Sequence, residues 1–519
     1  MVFCDGNNTN WCKIAGVLAR ALCGTVFGLE GVRVEVEANI GAGLPGFHIV
    51  GLADRALNEA RERVKVAINN SGAEFPGQKV TVNLAPAQVP KEGSGFDLAM
   101  AAAIISMVEK VHLPDGAAWL GELALDGTVR RVRGVLAIVS HLDRVGATRF
   151  FVPTANYAEA RLATRRPVHP LAKLRELVDH WRTGLSLPEP ESSHREGDTQ
   201  ALEPVVDLAD IRGQPMAKRA LEVAAAGAHH LLMVGPPGAG KTMLARALPG
   251  ILPPLSPAES LEVTTIASCA GLLPVGSGLL ETPPFRAPHH GISASGLIGG
   301  GALVPRPGEV TRAHRGVLFL DEIAEFRRDA LEALRQPLEE GRLVVTRARG
   351  HAVLPGRFIL VAAANPCPCG FAGDGARPCE CTPPARQRYQ ARLSGPIRDR
   401  IDLQVHVPRQ RAGELLQPRS STEESAVARE RVVMARERQR ARRPEGPLNG
   451  ALSGVEVRAD ARLDEAGHNL LVKAADRLHL SGRAVHRVLR VARTIADLDG
   501  QGAVTSSHLA EALQYRETV

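Results

Sequence analysis

The segment Gly235-Pro236-Pro237-Gly238-Ala239-Gly240-Lys241-Thr242 carries the most defined chemistry in this 519-residue sequence. It is a complete G-x-x-x-x-G-K-[ST] pattern, in which backbone amides turn inward around a phosphate. Lys241 is expected to reach the β- and γ-phosphates of a nucleoside triphosphate, and Thr242 to hold Mg²⁺. An apolar run, Leu231 to Val234, enters the loop, and an amphipathic helix leaves it and adds partial positive charge. Later, "GVLFLDEIAEF" delivers Asp321 and Glu322 at the end of a four-residue apolar strand. Asp321 suits the Mg²⁺ shell and Glu322 suits polarising an attacking water. "RFILVAAANP" ends a further strand at Asn365, well placed to orient that water.

Straight after Asn365 the chain puts four of its eight cysteines: Cys367, Cys369, Cys379 and Cys381. The spacing is C-x-C, nine residues, C-x-C, with the Gly-rich "GFAGDGARP" between the pairs. Two such pairs can bring four thiolates to one tetrahedral centre, a set that suits structural Zn²⁺. The usual knuckle is C-x₂-C, so a loop without metal and a redox pair stay open as readings.

These groups need strands and helices to place them, and the sequence divides accordingly. Residues 14–183 alternate β-rich runs ("VRVEVEANI", "KVTVNLAP") with the Ala-rich helical "DLAMAAAIISMVEK". Residues 184–206 are proline-rich and polar and read as a linker. Residues 207–408 alternate strand and helix signals, as a parallel α/β sheet does. Residues 409–519 form a basic connector and a helical region, with Thr505 or Ser506 expected to cap the last helix. From Ser425 to Arg443 seven arginines face two glutamates, a balance that fits a DNA-following helix or a solvated connector. In "EEGRLVVTRARG" the apolar residues alternate up to a basic tip, a hairpin carrying Arg342, Arg347 and Arg349 that could grip a phosphate backbone.

Composition bounds the rest. The chain is 44% apolar and 23% charged, with net charge +7. That fits a multidomain globular protein with a weak lean toward polyanions. Aromatic residues are only 3%, so base stacking is not the expected mode of any nucleic-acid contact. No run of eighteen apolar residues suggests a membrane span. The start lacks the pattern of a secretion signal, and a cytoplasmic location is expected.

The strings "FRAPHHGISASGLIGGGALVPRPGEVTRAHRGVLFLDE", "AANPCPCG", "RLSGPIRDRID" and "SGRAVHRVLRVARTIADL" resemble the magnesium-chelatase-like AAA+ ATPases of the YifB/ComM family. The resemblance covers the chain from about Ala15 onward. It implies an ATP- and Mg²⁺-dependent homo-hexameric ring acting on DNA, with a helicase role in branch migration during natural transformation. It also implies that Arg400, in "IRDRID", completes a neighbouring copy's site, with Arg398 close enough to compete for the role. Arg483 takes the place of the lid arginine that touches the γ-phosphate, and Arg487 is the fallback. The Gly- and Pro-rich "APHHGISASGLIGGGALVPRPGEV" becomes an inserted loop directed at the ring's channel.

The N-terminal region resembles a second family. "PAQVPKEGSGFDLAMAAAII" and "GELALDGTVRRVRGVLAIVSHLDRVGATRFFVP" are similar to the Lon-type serine proteases, which implies a Lon-like α+β fold of the ribosomal S5 domain 2 type. On that pattern the nucleophile falls on Gly95 and its lysine partner on Leu136, while Ser94 lies one residue off. A serine without a base is a poor nucleophile, so a non-proteolytic domain is expected, with Asp97 capping the Ala-rich helix. Two alternatives remain: a chelatase-type ATPase that remodels a partner protein, and an ATP-dependent Lon-like protease.

Overall fold

The computed structural model describes residues 17–51, 55–89, 91, 93–187, 206–301, 304–347, 350–373, 377–392, 395–410, 413 and 424–516. Arg349 and most of the linker lie outside the described residues, as does the side chain of Arg347.

The N-terminal module is a seven-stranded mixed sheet. In spatial order its strands are Gly46–Val50, Lys79–Ala85, Glu30–Gly41, Val17–Phe27, Ala117–Trp119, Arg149–Pro153 and Val168–Leu171. The long strand Glu30–Gly41 buries Val34, Val36 and Ala38, the period-2 pattern of a half-buried strand. The helix Asp97–Val108 is apolar on nearly every side and buried from Asp97 to Met107, so it forms the centre of this core.

The second module holds a five-stranded, all-parallel sheet in the spatial order Leu403–His406, Leu231–Val234, Ile359–Ala364, Val317–Leu320, Phe285–Arg286. In chain order that is fifth, first, fourth, third, second. The three central strands are buried throughout, as continuous apolar runs in a parallel sheet must be. All of them run the same way, so the residues following Val234, Leu320 and Ala364 emerge at one edge. Ligands of open parallel sheets bind along that edge.

The Arg-rich helix Ser425–Arg442 buries one face, at Ala428, Val432, Ala435 and Gln439. It connects the second module to the C-terminal helices, and most of its guanidinium groups meet carbonyl oxygens or carboxylates. Arg429 donates to Gly250 O at 2.6 and 2.9 Å, at the end of the helix Lys241–Ile251. Arg436 donates to Ala225 O at 2.6 and 3.0 Å, near the end of Pro215–Gly227. Cations are favoured there because the last turn's carbonyls have no intrahelical partner. Arg442 pairs with Asp497 at 2.8 Å, and Arg443 with Asp460 at 2.9 Å. The final helix, Ser506–Gln514, is capped by Thr505.

Among the described residues the modules meet at two places. Buried Glu159 accepts Leu136 N–H at 3.1 Å, Asn156 Nδ2 at 2.8 Å and the Ser268 hydroxyl. Ser268 lies on Pro257–Ala270 of the nucleotide module, whose Ser268 O also receives Gly134 N–H at 3.1 Å. Separately, the turn at Phe27 and Gly28 meets the hairpin Arg342–Arg347/Gly350–Pro355. A Cβ at Gly28 would stand 2.9 Å from Ala352 Cβ, and one at Gly350 would stand 3.0 Å from Phe27 Cζ.

Among the described residues no helix is long and apolar enough to cross a membrane.

Candidate nucleotide and metal sites

The phosphate loop fills the gap between Leu231–Val234 and Lys241–Ile251. Gly238 and Gly240 have φ of +77° and +90°, and a Cβ added at either would meet nothing within 4 Å. Two left-handed glycines facing open space form the concave, amide-lined cradle a phosphate fits. Gly235 is glycine for another reason: a Cβ there would stand 2.1 Å from Val407 O. Pro236, Pro237 and Ala239 complete the loop, and Ala239 is buried beneath it.

Lys241 is 8% exposed and its Nζ donates to Gly235 O at 2.6 Å, Pro236 O at 3.0 Å and Asn365 Oδ1 at 3.1 Å. Burial pulls its ammonium below the ordinary lysine value, opposed by the charges of Asp321 and Glu322. Thr242 Oγ1 donates to Asp321 Oδ2 at 2.9 Å. One hydroxyl and one carboxylate this close are the oxygen pair an octahedral Mg²⁺ takes from protein, the other positions going to water and phosphate. Glu322 adopts φ +50°, ψ +47°, a conformation uncommon for residues other than glycine, with its N–H donated to Asp321 Oδ1 at 3.0 Å. The strand order thus gathers Lys241, Thr242, Asp321, Glu322 and Asn365 at one edge.

Arg400 and the lid arginines lie elsewhere. Arg400 follows the helix Gly395–Arg398 and pairs with Glu339. Arg483 is exposed in the first turn of Gly482–Leu498. Arg487, one turn further along that helix, is 5% exposed and donates to the backbone oxygens of Asp399 and, at 3.5 Å, Arg398. Both helix arginines therefore lie on the side that meets the Arg398–Arg400 segment.

The four cysteine sulfurs lie within 4.8 Å of one another. Cys367 Sγ is 3.3 Å from Cys369 Sγ and 3.6 Å from Cys379 Sγ, and Cys369 and Cys379 are 3.6 Å apart. Backbone N–H groups point at the sulfurs: Ala372 N–H to Cys367 Sγ at 3.3 Å, and Cys369 N–H to Cys381 Sγ at 3.4 Å. A hydrogen bond from the Phe371 backbone and another from the Cys367 side chain draw the Cys369 thiol down to about 6. An all-sulfur tetrahedral donor set with amide support fits Zn²⁺.

Two residues near the site carried no clear signal in the sequence. Gln214, at φ +60°, donates its amide to Pro408 O at 2.7 Å and Ala239 O at 3.4 Å, fastening the end of the fifth strand beside the phosphate loop. A Gly-Gln-Pro break just before a helix was its only trace. Tyr389, on the helix Pro383–Arg392, is 6% exposed; burial raises its phenol, opposed by a hydrogen bond from the Asn365 backbone.

In the N-terminal module Leu136 is buried and apolar. A Cβ on Gly95 would meet only Val132, at 3.6 Å or beyond. Ser94 Oγ donates to Glu122. Asp97 is not a helix cap: Phe96 takes that position, and the Asp97 carboxylate pairs with Arg63 at 3.1 Å and accepts Leu123 N–H at 3.2 Å. The interior of the sheet claimed the side chain because a buried acid needs a cation more than a helix needs that cap.

A phosphate loop between the first strand and first helix of a parallel sheet, with acids on the third strand, defines a P-loop nucleotide-binding module of the AAA+ kind. The family model for magnesium chelatase subunit ChlI matches residues 207–415, a ChlI subunit model matches 36–156, and the ChlI C-terminal model matches 422–516. The chain is 47% identical over 505 residues to a Mycobacterium tuberculosis protein, covering 96% of this chain and 99% of that one. It is 41% identical over 495 residues to YifB of Escherichia coli, covering 94% and 95%. It is 40% identical over 497 residues to the competence protein ComM of Haemophilus influenzae, covering 95% and 96%. The chain belongs to the YifB/ComM family of magnesium-chelatase-like proteins.

Proposed function

We propose that this protein is an ATP-hydrolysing AAA+ motor that works on DNA as a homo-hexameric ring in the cytoplasm. The observation that carries the ATPase reading is the joining of Lys241 to Asn365 and of Thr242 to Asp321 at one sheet edge. In this reading Lys241 and the cradle amides bind the β- and γ-phosphates, and Thr242 and Asp321 hold Mg²⁺. Mg²⁺ supplies charge neutralisation on the phosphate oxygens. Glu322 polarises the attacking water, Asn365 orients it, Arg400 arrives from an adjoining copy, and Arg483 touches the γ-phosphate as the lid arginine.

Identity to a competence protein supports DNA as the substrate, with helicase activity in branch migration during natural transformation. The N-terminal module is read as a Lon-like fold without peptidase chemistry, because Gly95 and Leu136 stand where a nucleophile and its lysine would be. The cysteine set is read as a structural Zn²⁺ site. In domain terms, residues 14–183 are the Lon-like unit, 207–408 the ATPase core and 409–519 the connector and lid. The chelatase family models favour a second reading, a remodeller of a partner protein.

ATP turnover measured with and without forked or four-way DNA at low salt separates them. DNA-stimulated hydrolysis that vanishes in Lys241→Ala is the expected result. Hydrolysis indifferent to every DNA, with no DNA binding, overturns the motor reading.

A further inference from the structure

The four-cysteine loop begins and ends at the nucleotide site. Asn365, which accepts from Lys241, stands two residues before Cys367; the helix Pro383–Arg392 starts two residues after Cys381 and carries Tyr389 back to the Asn365 backbone. In between, Gly370 lies against Pro237 of the phosphate loop. Gly370 has φ +85°, and a Cβ there would stand 2.6 Å from Pro237 Cδ and 2.8 Å from Pro237 Cγ. The Gly370 N–H is held by Cys367 O at 2.9 Å, so the position of the sulfurs sets the position of this contact.

A Gly-rich loop of this length keeps much conformational freedom unless it is cross-linked, and a metal clip removes that freedom. We propose that Zn²⁺ held by Cys367, Cys369, Cys379 and Cys381 is a positioning element of the ATP site. It fixes the phosphate loop through Gly370 on Pro237, and Asn365 through Tyr389, so nucleotide affinity and turnover follow metal occupancy. The proposal rests on the nucleotide and zinc readings above and assigns them a shared mechanical role. Gly370 and Tyr389 act through other residues and are positioning residues.

The test uses the full chain, elemental analysis for zinc, affinity for a fluorescent ATP analogue, and steady-state ATP turnover. Gly370→Ala is expected to retain about one zinc per chain and to bind the analogue about tenfold more weakly. Tyr389→Phe is expected to keep zinc and affinity and to lower kcat about tenfold. Cys379→Ser is expected to lose zinc and show both defects, and Cys379→His, which keeps a zinc ligand, to recover both. Gly370→Ala indistinguishable from wild type overturns the proposal, as does zinc-free Cys379→Ser with unchanged affinity and turnover. Wild-type protein that binds the analogue without carrying zinc overturns the proposal alone. Analogue binding that survives Lys241→Ala unchanged overturns the nucleotide reading and the proposal with it.

Discussion

Arg487 of the helix Gly482–Leu498 donates to the backbone oxygen of Asp399, the residue immediately before Arg400. The same guanidinium also reaches Arg398 O at 3.5 Å, and its own charge is held in place with only 5% of the residue exposed. The helix Gly482–Leu498 is thereby fastened to the segment that carries Arg400. Removing the fastening should free that segment while leaving the phosphate loop intact. Arg487→Met is expected to lower kcat about tenfold, since a hydrogen bond to a charged group contributes about 1.5–3 kcal/mol. Nucleotide affinity should change less than about twofold by that same arithmetic. A parallel loss of affinity would mean that Arg487 serves the phosphate loop instead.

Lys241 and Arg400 lie on separate parts of the chain, and Arg400 pairs with Glu339, not with any group of the nucleotide site described above. If each active site is shared by two copies, Lys241→Ala and Arg400→Ala proteins are each inactive, and mixing them restores part of the turnover. Loss of a trans-acting arginine costs about 10³–10⁵ in rate, so even a small recovered fraction is readable. A mixture as inactive as its parts would place both residues in one copy's site.

Mild acid should act on the two modules with opposite sign. His314 is buried and His230 half-buried, and each accepts a backbone N–H on Nδ1, from Arg357 at 3.0 Å and Leu360 at 3.1 Å respectively. Burial pulls both down to about 4. Their contribution is therefore present above the unfolded value near 6.5 and is lost as pH falls toward 4, about 2 kcal/mol each by pH 5. Asp97 behaves conversely: burial, opposed by Arg63, raises it to about 6. Its stabilising share is complete below the unfolded value and lost as pH climbs through 6, so acidifying from pH 7 to 5 returns about 1 kcal/mol. Thermal unfolding at pH 7 and pH 5 should show the nucleotide module losing stability first, and His230→Asn should flatten that dependence. Equal acid sensitivity in the variant would refute the assignment.

Glu159 is 4% exposed and accepts from the Leu136 amide, Asn156 and Ser268. Glu159→Ala leaves three buried donors short of an acceptor, at about 1–3 kcal/mol for each that water cannot reach. Limited proteolysis should then release the N-terminal module faster than in wild type, and differential scanning calorimetry should split one transition into two. Ser268→Ala, which removes the side-chain hydrogen bond across the modules and spares the other partners of Glu159, is expected to give the same splitting with less loss of stability in the N-terminal module alone. A single unshifted transition in both variants would show that the joint is held elsewhere.

The nucleotide site was legible because its groups sit at strand ends, where short apolar runs and glycine spacing encode position directly. Asp321 and Asn365 directly follow two buried strands, and Glu322 comes one residue after Asp321. The cysteines were legible as a set, though C-x-C spacing left open whether they converge. What sequence patterning could not give were contacts between distant segments. Asp97 had the local features of a helix cap, and only the arrival of Arg63 from another helix shows why it turns inward. The arginine-rich balance of Ser425–Arg442 suggested a polyanion-facing surface, yet Arg429 and Arg436 reach helix ends more than a hundred residues away. Tyr389 and Gln214 act through backbone atoms, which leave no mark in side-chain type.

That absorption of charge bears on how strongly the protein would cling to a polyelectrolyte. Cations already committed to internal oxygens displace few condensed counterions when a strand docks. Association with nucleic acid would then fade gently with ionic strength, with a log–log slope reflecting a handful of contacts and not the seven arginines from Ser425 to Arg443.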